Sequence, residues 1–201
     1  MKKVINSSNR GNEPAKSDNL IVWNWNTNLS MGGIEYELVV SSKCGDSWLA
    51  CYDSKDAMFE GFETKFSVFY YPPDPTDLTA GGFISAEKLA EVFTKRSKND
   101  GFTLHNSFSY TDPEHSERKV YVLVTQYLNQ RDNQGKVFLT FIKQDDNGTG
   151  AFMILYRTII DSDKNVPLQQ QTSEWLTAHN DYLNRLGKID TSNFLVSTFP
   201  V

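Results

Sequence analysis

Four apolar runs arrive in succession between residues 102 and 160: Phe102–Tyr110 (FTLHNSFSY), Lys119–Leu128 (KVYVLVTQYL), Lys136–Lys143 (KVFLTFIK) and Ala151–Ile160 (AFMILYRTII). Valine, isoleucine, phenylalanine and tyrosine are frequent in them, and such side chains fit a pleated, half-buried surface. Polar connectors separate the runs at Thr111–Arg118, Asn129–Gly135 and Gln144–Gly150. The third holds Asp146-Asn147-Gly148, a favoured hairpin turn because asparagine and glycine accept positive φ. Connectors this short leave no room for the crossover of roughly a dozen residues that a parallel return requires. The stretch therefore reads as a four-stranded antiparallel meander.

Outward from it, a helix is expected on either side. Ser85 offers an N-cap, Glu87 puts negative charge in the first turn, and Ala86, Leu89, Ala90 and Phe93 make an apolar stripe up to about Lys98. Asn99-Asp100-Gly101 ends that helix. The second spans about Thr172–Leu186, capped by Thr172 or Ser173, with Trp175, Leu176, His179, Tyr182, Leu183 and Leu186 as its buried stripe and Gly187 as its stop. Both helices are expected to cover the apolar side of the meander. Nearer the N-terminus, Leu20–Trp25, Ile34–Val40, Trp48–Tyr52 and Lys65–Tyr71 read as further strands, the last stopped by Pro72-Pro73-Asp74-Pro75. Phe194-Leu195-Val196 suggests a short edge strand. The polar, aperiodic residues 1–19 read as a flexible tail, and residues 20–201 as a single α+β domain.

The order helix, meander, helix over about Phe83–Leu186 resembles that of PsbP-like α+β domains, and cystatin-like and profilin-like domains share much of the layout. The first resemblance implies a non-catalytic protein that binds other proteins, an analogy of architecture alone.

Composition narrows the classes. With 20 basic and 25 acidic residues the net charge is −5, which supplies no concentrated positive field to replace phosphate counterions; nucleic acid is not an expected partner. No run approaches the ~20 apolar residues of a membrane-spanning helix. Met1-Lys2-Lys3-Val4 carries the charge of a signal peptide without an apolar segment behind it, so the chain reads as soluble and cytoplasmic. An exported form with its leader removed would look the same. Cys44 and Cys51, seven apart, match neither a CxxC redox pair nor a zinc knuckle; they read as two unlinked small apolar residues, the alternative being a disulfide across a short hairpin, which would imply an oxidising compartment.

Several residues stand out as candidate chemistry. Gly45-Asp46-Ser47-Trp48 resembles the Gly-Asp-Ser block of SGNH hydrolases, and Asp112-Pro113-Glu114-His115 then supplies a DxxH. The resemblance implies acyl transfer with Ser47 as nucleophile, His115 as base and Asp112 as its orienting acid. The chain departs from that pattern in three ways: Trp48 stands where leucine is usual, a Gly-x-Asn-Asp block is missing, and the strands read as antiparallel. Asp161, Asp163 and Asn165 have the 1-3-5 spacing of a calcium loop, but Val166 replaces the turn glycine and Thr172 the closing glutamate. Trp23 and Trp25 share one face of their strand and are candidates for an aromatic binding platform or for core. His105, His115 and His179 show no ligand spacing, and neither a metal nor a cofactor is implied.

Three readings follow, in this order. The first is a non-catalytic protein-binding or interaction module. The second is a carrier of a small hydrophobic ligand, bound in an apolar pocket between sheet and helix. The third is a Ser-His hydrolase. The expected partner is another protein or a small molecule.

Overall fold

The computed structural model describes residues 22–31, 34–44, 47–54, 65–72, 85–129, 134–161, 165–186 and 190–198. The strands are β1 (Val22–Trp25), β2 (Asn28–Met31), β3 (Ile34–Cys44), β4 (Ser47–Ser54) and β5 (Lys65–Tyr71) before helix α1 (Ala86–Asn99). After it come β6 (Thr103–Thr111), β7 (Lys119–Asn129), β8 (Gln134–Gln144) and β9 (Ala151–Asp161). Helices α2 (Leu168–Ala178) and α3 (Asn180–Leu186), a short 3-10 turn (Thr191–Asn193) and β10 (Leu195–Thr198) complete the order. The expected tail, 1–19, lies outside the described residues.

The protein is an α+β structure built on an antiparallel sheet of eight strands, in the order β2-β3-β4-β5-β9-β8-β7-β6. Strands β6 to β9 pair with their sequence neighbours, and β5 joins β9 in register Phe66↔Tyr156 through Tyr71↔Ala151. The N-terminal strands therefore extend the same sheet. β10 does not edge it: with β1 it forms a separate two-stranded ladder, Trp25 opposite Leu195.

A strand buried on both faces loses the alternation of a half-wet one and reads as a continuous apolar run. β7 shows this. Val120, Val122 and Val124 belong to a large core with Val137, Leu139, Phe141, Ile154 and Tyr156, against which Trp175, Leu176 and Leu183 of α2 and α3 pack. Leu123, one step out of phase, joins Ile142 and Met153 beneath Ala86 and Ala90 of α1, with Leu89 and Phe93 alongside. Successive side chains point to opposite faces, so the helices lie on opposite sides of the sheet. Both were expected on one side. The doubly apolar runs require two covers, and each helix supplies one.

Helix α1 follows its sequence signals: the Ser85 hydroxyl accepts from the Lys88 amide at 3.3 Å, and Arg96 and Lys98 stand in the last turn. Gly101, at φ +85°, takes the left-handed turn that lets the Phe102 amide reach back to the Ser97 carbonyl at 2.9 Å. The second helix differs from expectation at both ends. It begins at Leu168 behind Pro167, whose φ of −56° presets the turn, and no side chain caps it. Thr172 is interior and fully buried, its hydroxyl donating to Gln126 Oε1 at 2.9 Å. The helix then breaks at His179 (φ −109°, ψ 18°) before α3. The His179 ring stacks on Trp175 at 4.5 Å and its Nδ1 lies 2.8 Å from the Trp175 carbonyl. A carbonyl only accepts, so Nδ1 carries the proton, and the imidazole serves as a packing residue.

In β6 the register shifts between Leu104 and Asn106, leaving His105 as the extra residue of a bulge. His105 is thereby half-buried, with Nε2 3.4 Å from Ser173 Oγ on α2. Because of the bulge, Thr103, His105 and Ser107 do not continue one simple alternation along β6. Beyond it, Asn106, Phe108 and Tyr110 pair with Val124, Val122 and Val120 and share their face.

Candidate ligand groove and buried ion cluster

The bulge matters because it sets which side of β6 faces α2 and α3. Between these elements runs an open groove of about 890 Å³. Its floor is Val122 and Val124 of β7 with Leu139 and Phe141 of β8, each no more than 3% exposed. Phe108 and Tyr110 form one wall, and Leu176 and Leu183 the other. Asn106, Thr177, Asn180 and Asn184, with the Tyr110 phenol, supply the polar groups of the lining.

At the Pro113 end of the groove the sheet buries an ion cluster. Lys143 follows Leu139 and Phe141 at period two, so its chain runs on the same face, and it is 1% exposed. Its ammonium donates to Glu114 Oε2 at 2.9 Å and to Asp112 Oδ1 at 3.3 Å; Asp112 Oδ2 is also 3.3 Å away. A buried ammonium without such partners would shed its charge. Asp112 Oδ1 also accepts the Glu114 amide at 3.1 Å, a local turn that fixes where the carboxylates point.

Asp190 stands beside Glu114 and bears on its ionisation, as Glu114 does on that of Asp190. Burial pushes Glu114 upward, Lys143 opposes, and the Asp190 charge adds to the rise; the net shift is above its ordinary 4.5. For Asp190, burial acts upward but is outweighed by hydrogen bonds from Ser192 and Glu114 and by the Lys143 charge, so it lies below its ordinary 3.8. Burial and then the Asp112 charge raise the Tyr110 phenol, which keeps it neutral.

These two shifts set opposite pH dependences. Folding raises the Glu114 affinity for its proton, so that stabilisation is complete below 4.5 and lost as pH rises through the raised value. Folding lowers the Asp190 value, so its stabilisation is present above 3.8 and lost as pH falls. Glu114→Gln, which mimics the protonated acid, is expected to flatten the decline on the alkaline side of 4.5 and to leave the acid limb in place. Urea midpoints for both proteins across this range check it.

A second polar lattice closes the neighbouring turns. Asp145 accepts the Thr149 and Gly150 amides at 2.9 Å and the Tyr70 hydroxyl at 3.0 Å, while Arg118 donates to the Asp145 carbonyl at 2.7 Å. A Cβ at Gly150 would stand 2.7 Å from both Asp145 Oδ2 and the Tyr70 hydroxyl, which is why glycine occupies that position.

The structure separates the hydrolase candidates. Ser47 is buried on the α1 face, where it lines a cavity of about 460 Å³ with Phe69, Tyr71, Phe93 and Met153. Asp112 is engaged by Lys143 on the opposite face. From β4 to β8 are three strand spacings, roughly 14 Å at the usual ~4.8 Å each. His115 is turned towards Asp146 and Glu117, at 3.8 and 3.9 Å, and neither Ser47 nor the Asp112 carboxylate is among its partners.

Trp25 is buried, 8% exposed, within the large core; Trp23 stands opposite Ser197 in the β1–β10 ladder. Of the calcium-like trio, Asp161 ends β9, Asn165 is exposed, and Asp163 lies outside the described residues. Among the described residues no group of His, Cys, Asp or Glu is arranged to hold a metal ion. Cys51 is a free, half-buried thiol whose sulfur lies 3.5 Å from Ser67 Oγ. No helix among the described residues is long and apolar enough to cross a membrane.

Sequence reasoning missed Lys143, Glu114 and Asp190. The one available signal is that Lys143 continues the period-two series Val137, Leu139, Phe141, which places a charge on a core face. Comparison with protein-family models, with curated proteins and with solved structures finds no match to this chain.

Proposed function

We propose that the protein is a non-catalytic binding protein that holds a small, mainly apolar ligand in the groove between β6–β8 and α2–α3. The observation that carries this reading is the groove itself. Its volume of about 890 Å³ falls within the range of known small-molecule sites, its floor is aliphatic and aromatic, and a few polar groups border it. Support for binding over acyl transfer comes from Ser47 and Asp112 standing on opposite faces. The free Cys51 fits a cytoplasmic setting.

The neutral dye N-phenyl-1-naphthylamine tests it. One dye per chain is expected to bind with enhanced fluorescence, and Leu183→Trp, which fills the groove from its helix wall, is expected to weaken binding at least about tenfold, a loss on the scale of a few buried methylenes. Unchanged binding in Leu183→Trp, with the far-ultraviolet spectrum retained, contradicts the reading.

One observation favours a second reading, the protein-interaction module. β6 is an edge strand and Phe108 on it is 52% exposed, so a partner segment could add alongside β6 and cover that ring. Main-chain amides of β6 protected only in a complex would separate it from the carrier.

A further inference from the structure

We propose that the groove selects an uncharged amphiphile, an apolar tail with a hydroxyl or carboxamide head, over a fatty carboxylate or an alkylammonium. The inference rests on the ligand-groove reading above and adds the chemical class. The polar side chains that border the apolar floor are three carboxamides and two hydroxyls, from three elements: Asn106 and the Tyr110 phenol on β6, Thr177 on α2, Asn180 and Asn184 on α3. Asn180 and Asn184, four apart, lie on one side of their helix and present their amides together. Carboxamides offer donors and acceptors in equal measure, so they satisfy a hydroxyl or an amide fully, yet they neutralise no charge.

Electrostatics at the Pro113 end sharpens the choice. Among the described residues the ammonium at that end, Lys143, is already held by Glu114 at 2.9 Å and by Asp112 at 3.3 Å, and Asp190 adds a further carboxyl beside them. An incoming carboxylate would lose hydration and meet an excess of acidic groups. An incoming ammonium would lose hydration among carboxamides that supply no counter-charge, and the Lys143 ammonium already engages Glu114 and Asp112. An uncharged head avoids both penalties.

The test displaces N-phenyl-1-naphthylamine from the full chain with decanol, decanoate and decylammonium near neutral pH, below the aggregation threshold of each. Decanol is expected to bind at least about tenfold more tightly than either ion, on the cost of desolvating an unpaired charge. Asn184→Lys, at an exposed position, is expected to raise the decanoate affinity about two- to fivefold by supplying the missing counter-charge. Equal affinities for decanol and decanoate, or decylammonium binding most tightly, overturn the selectivity while leaving the groove reading standing. Failure of the dye and of all three amphiphiles to bind overturns both.

Discussion

Lys143→Met is expected to destabilise the protein by about 3–5 kcal/mol, the usual consequence of removing one partner from a buried ion pair. Lys143 and Asp112 are each 1% exposed, so the carboxylate left behind cannot turn to water. Glu114, with 35% of its side chain exposed, can, and only part of the cluster is stranded. For a chain of this size such a loss lowers the melting temperature by roughly 10 °C. Adding Asp112→Asn keeps the turn that Asp112 Oδ1 makes with the Glu114 amide while removing the stranded charge. The double variant is therefore expected to recover stability relative to Lys143→Met, with a coupling of about 1–3 kcal/mol between the sites. Additive losses would mean that the pair contributes nothing beyond packing. Thermal and urea unfolding of the four proteins in this cycle decide it.

The second large effect is expected at Phe194. Its ring is fully buried and lies 5.5 Å from Phe152, 6.4 Å from Tyr52 and 6.5 Å from Phe66, while its carbonyl accepts the Asn26 amide at 2.9 Å. One residue thus pins the β1–β10 ladder and the Thr191–Asn193 turn against the large sheet. Phe194→Ala is expected to lose about 3–5 kcal/mol, the range for emptying a buried aromatic site. Because the contact is local to the C-terminal segment, part of the loss is expected as local opening: amides of β1 and β10 exchange faster than those of β7 and β8. Phe194→Leu, which keeps much of the apolar volume, is expected to restore most of the protection. Uniform acceleration across all strands would contradict the pinning role.

Much of the sheet was legible because each strand carries its own signal. Residues 119–128 announce themselves as β-branched and aromatic, and Asp146-Asn147-Gly148 marks a turn in which Gly148 does take φ +72°. Ser85 announces α1 in the same local way. What was not legible depends on contacts distant in sequence. Nothing in Lys65–Tyr71 names β9 as its partner, since the hydrogen bonds that join them are made by backbone that every residue has. β2 was hidden because Asn28-Leu29-Ser30-Met31 is short and half polar, its one clear apolar mark being Leu29, which is buried. The start of α2 was hidden by Gln169-Gln170-Gln171, which carry no apolar period even though Pro167 had preset the turn.

The candidate site was less legible still. The groove needs β6 turned by its bulge and α3 angled from α2 at His179, and both are consequences of packing. The idea of an apolar pocket between sheet and helix was available from the aromatic-rich strands, but its address was not. Lys143 was readable only as a charge in phase with the apolar series of its strand, and its partner Glu114 lies 29 residues before it, with Asp190 beyond α3. Ser47, His115 and Asp112 were linked by motif, and the fold places the serine on one face and the aspartate on the other.

The placement of the ligand on the α2–α3 face can be read directly from methyl resonances during a decanol titration. The groove account predicts saturable shifts at Val122, Val124, Leu139, Leu176 and Leu183, with Leu123, Ile142 and Met153 beneath α1 unmoved. Shifts confined to the α1 face, or no saturable shift on either face, would contradict it.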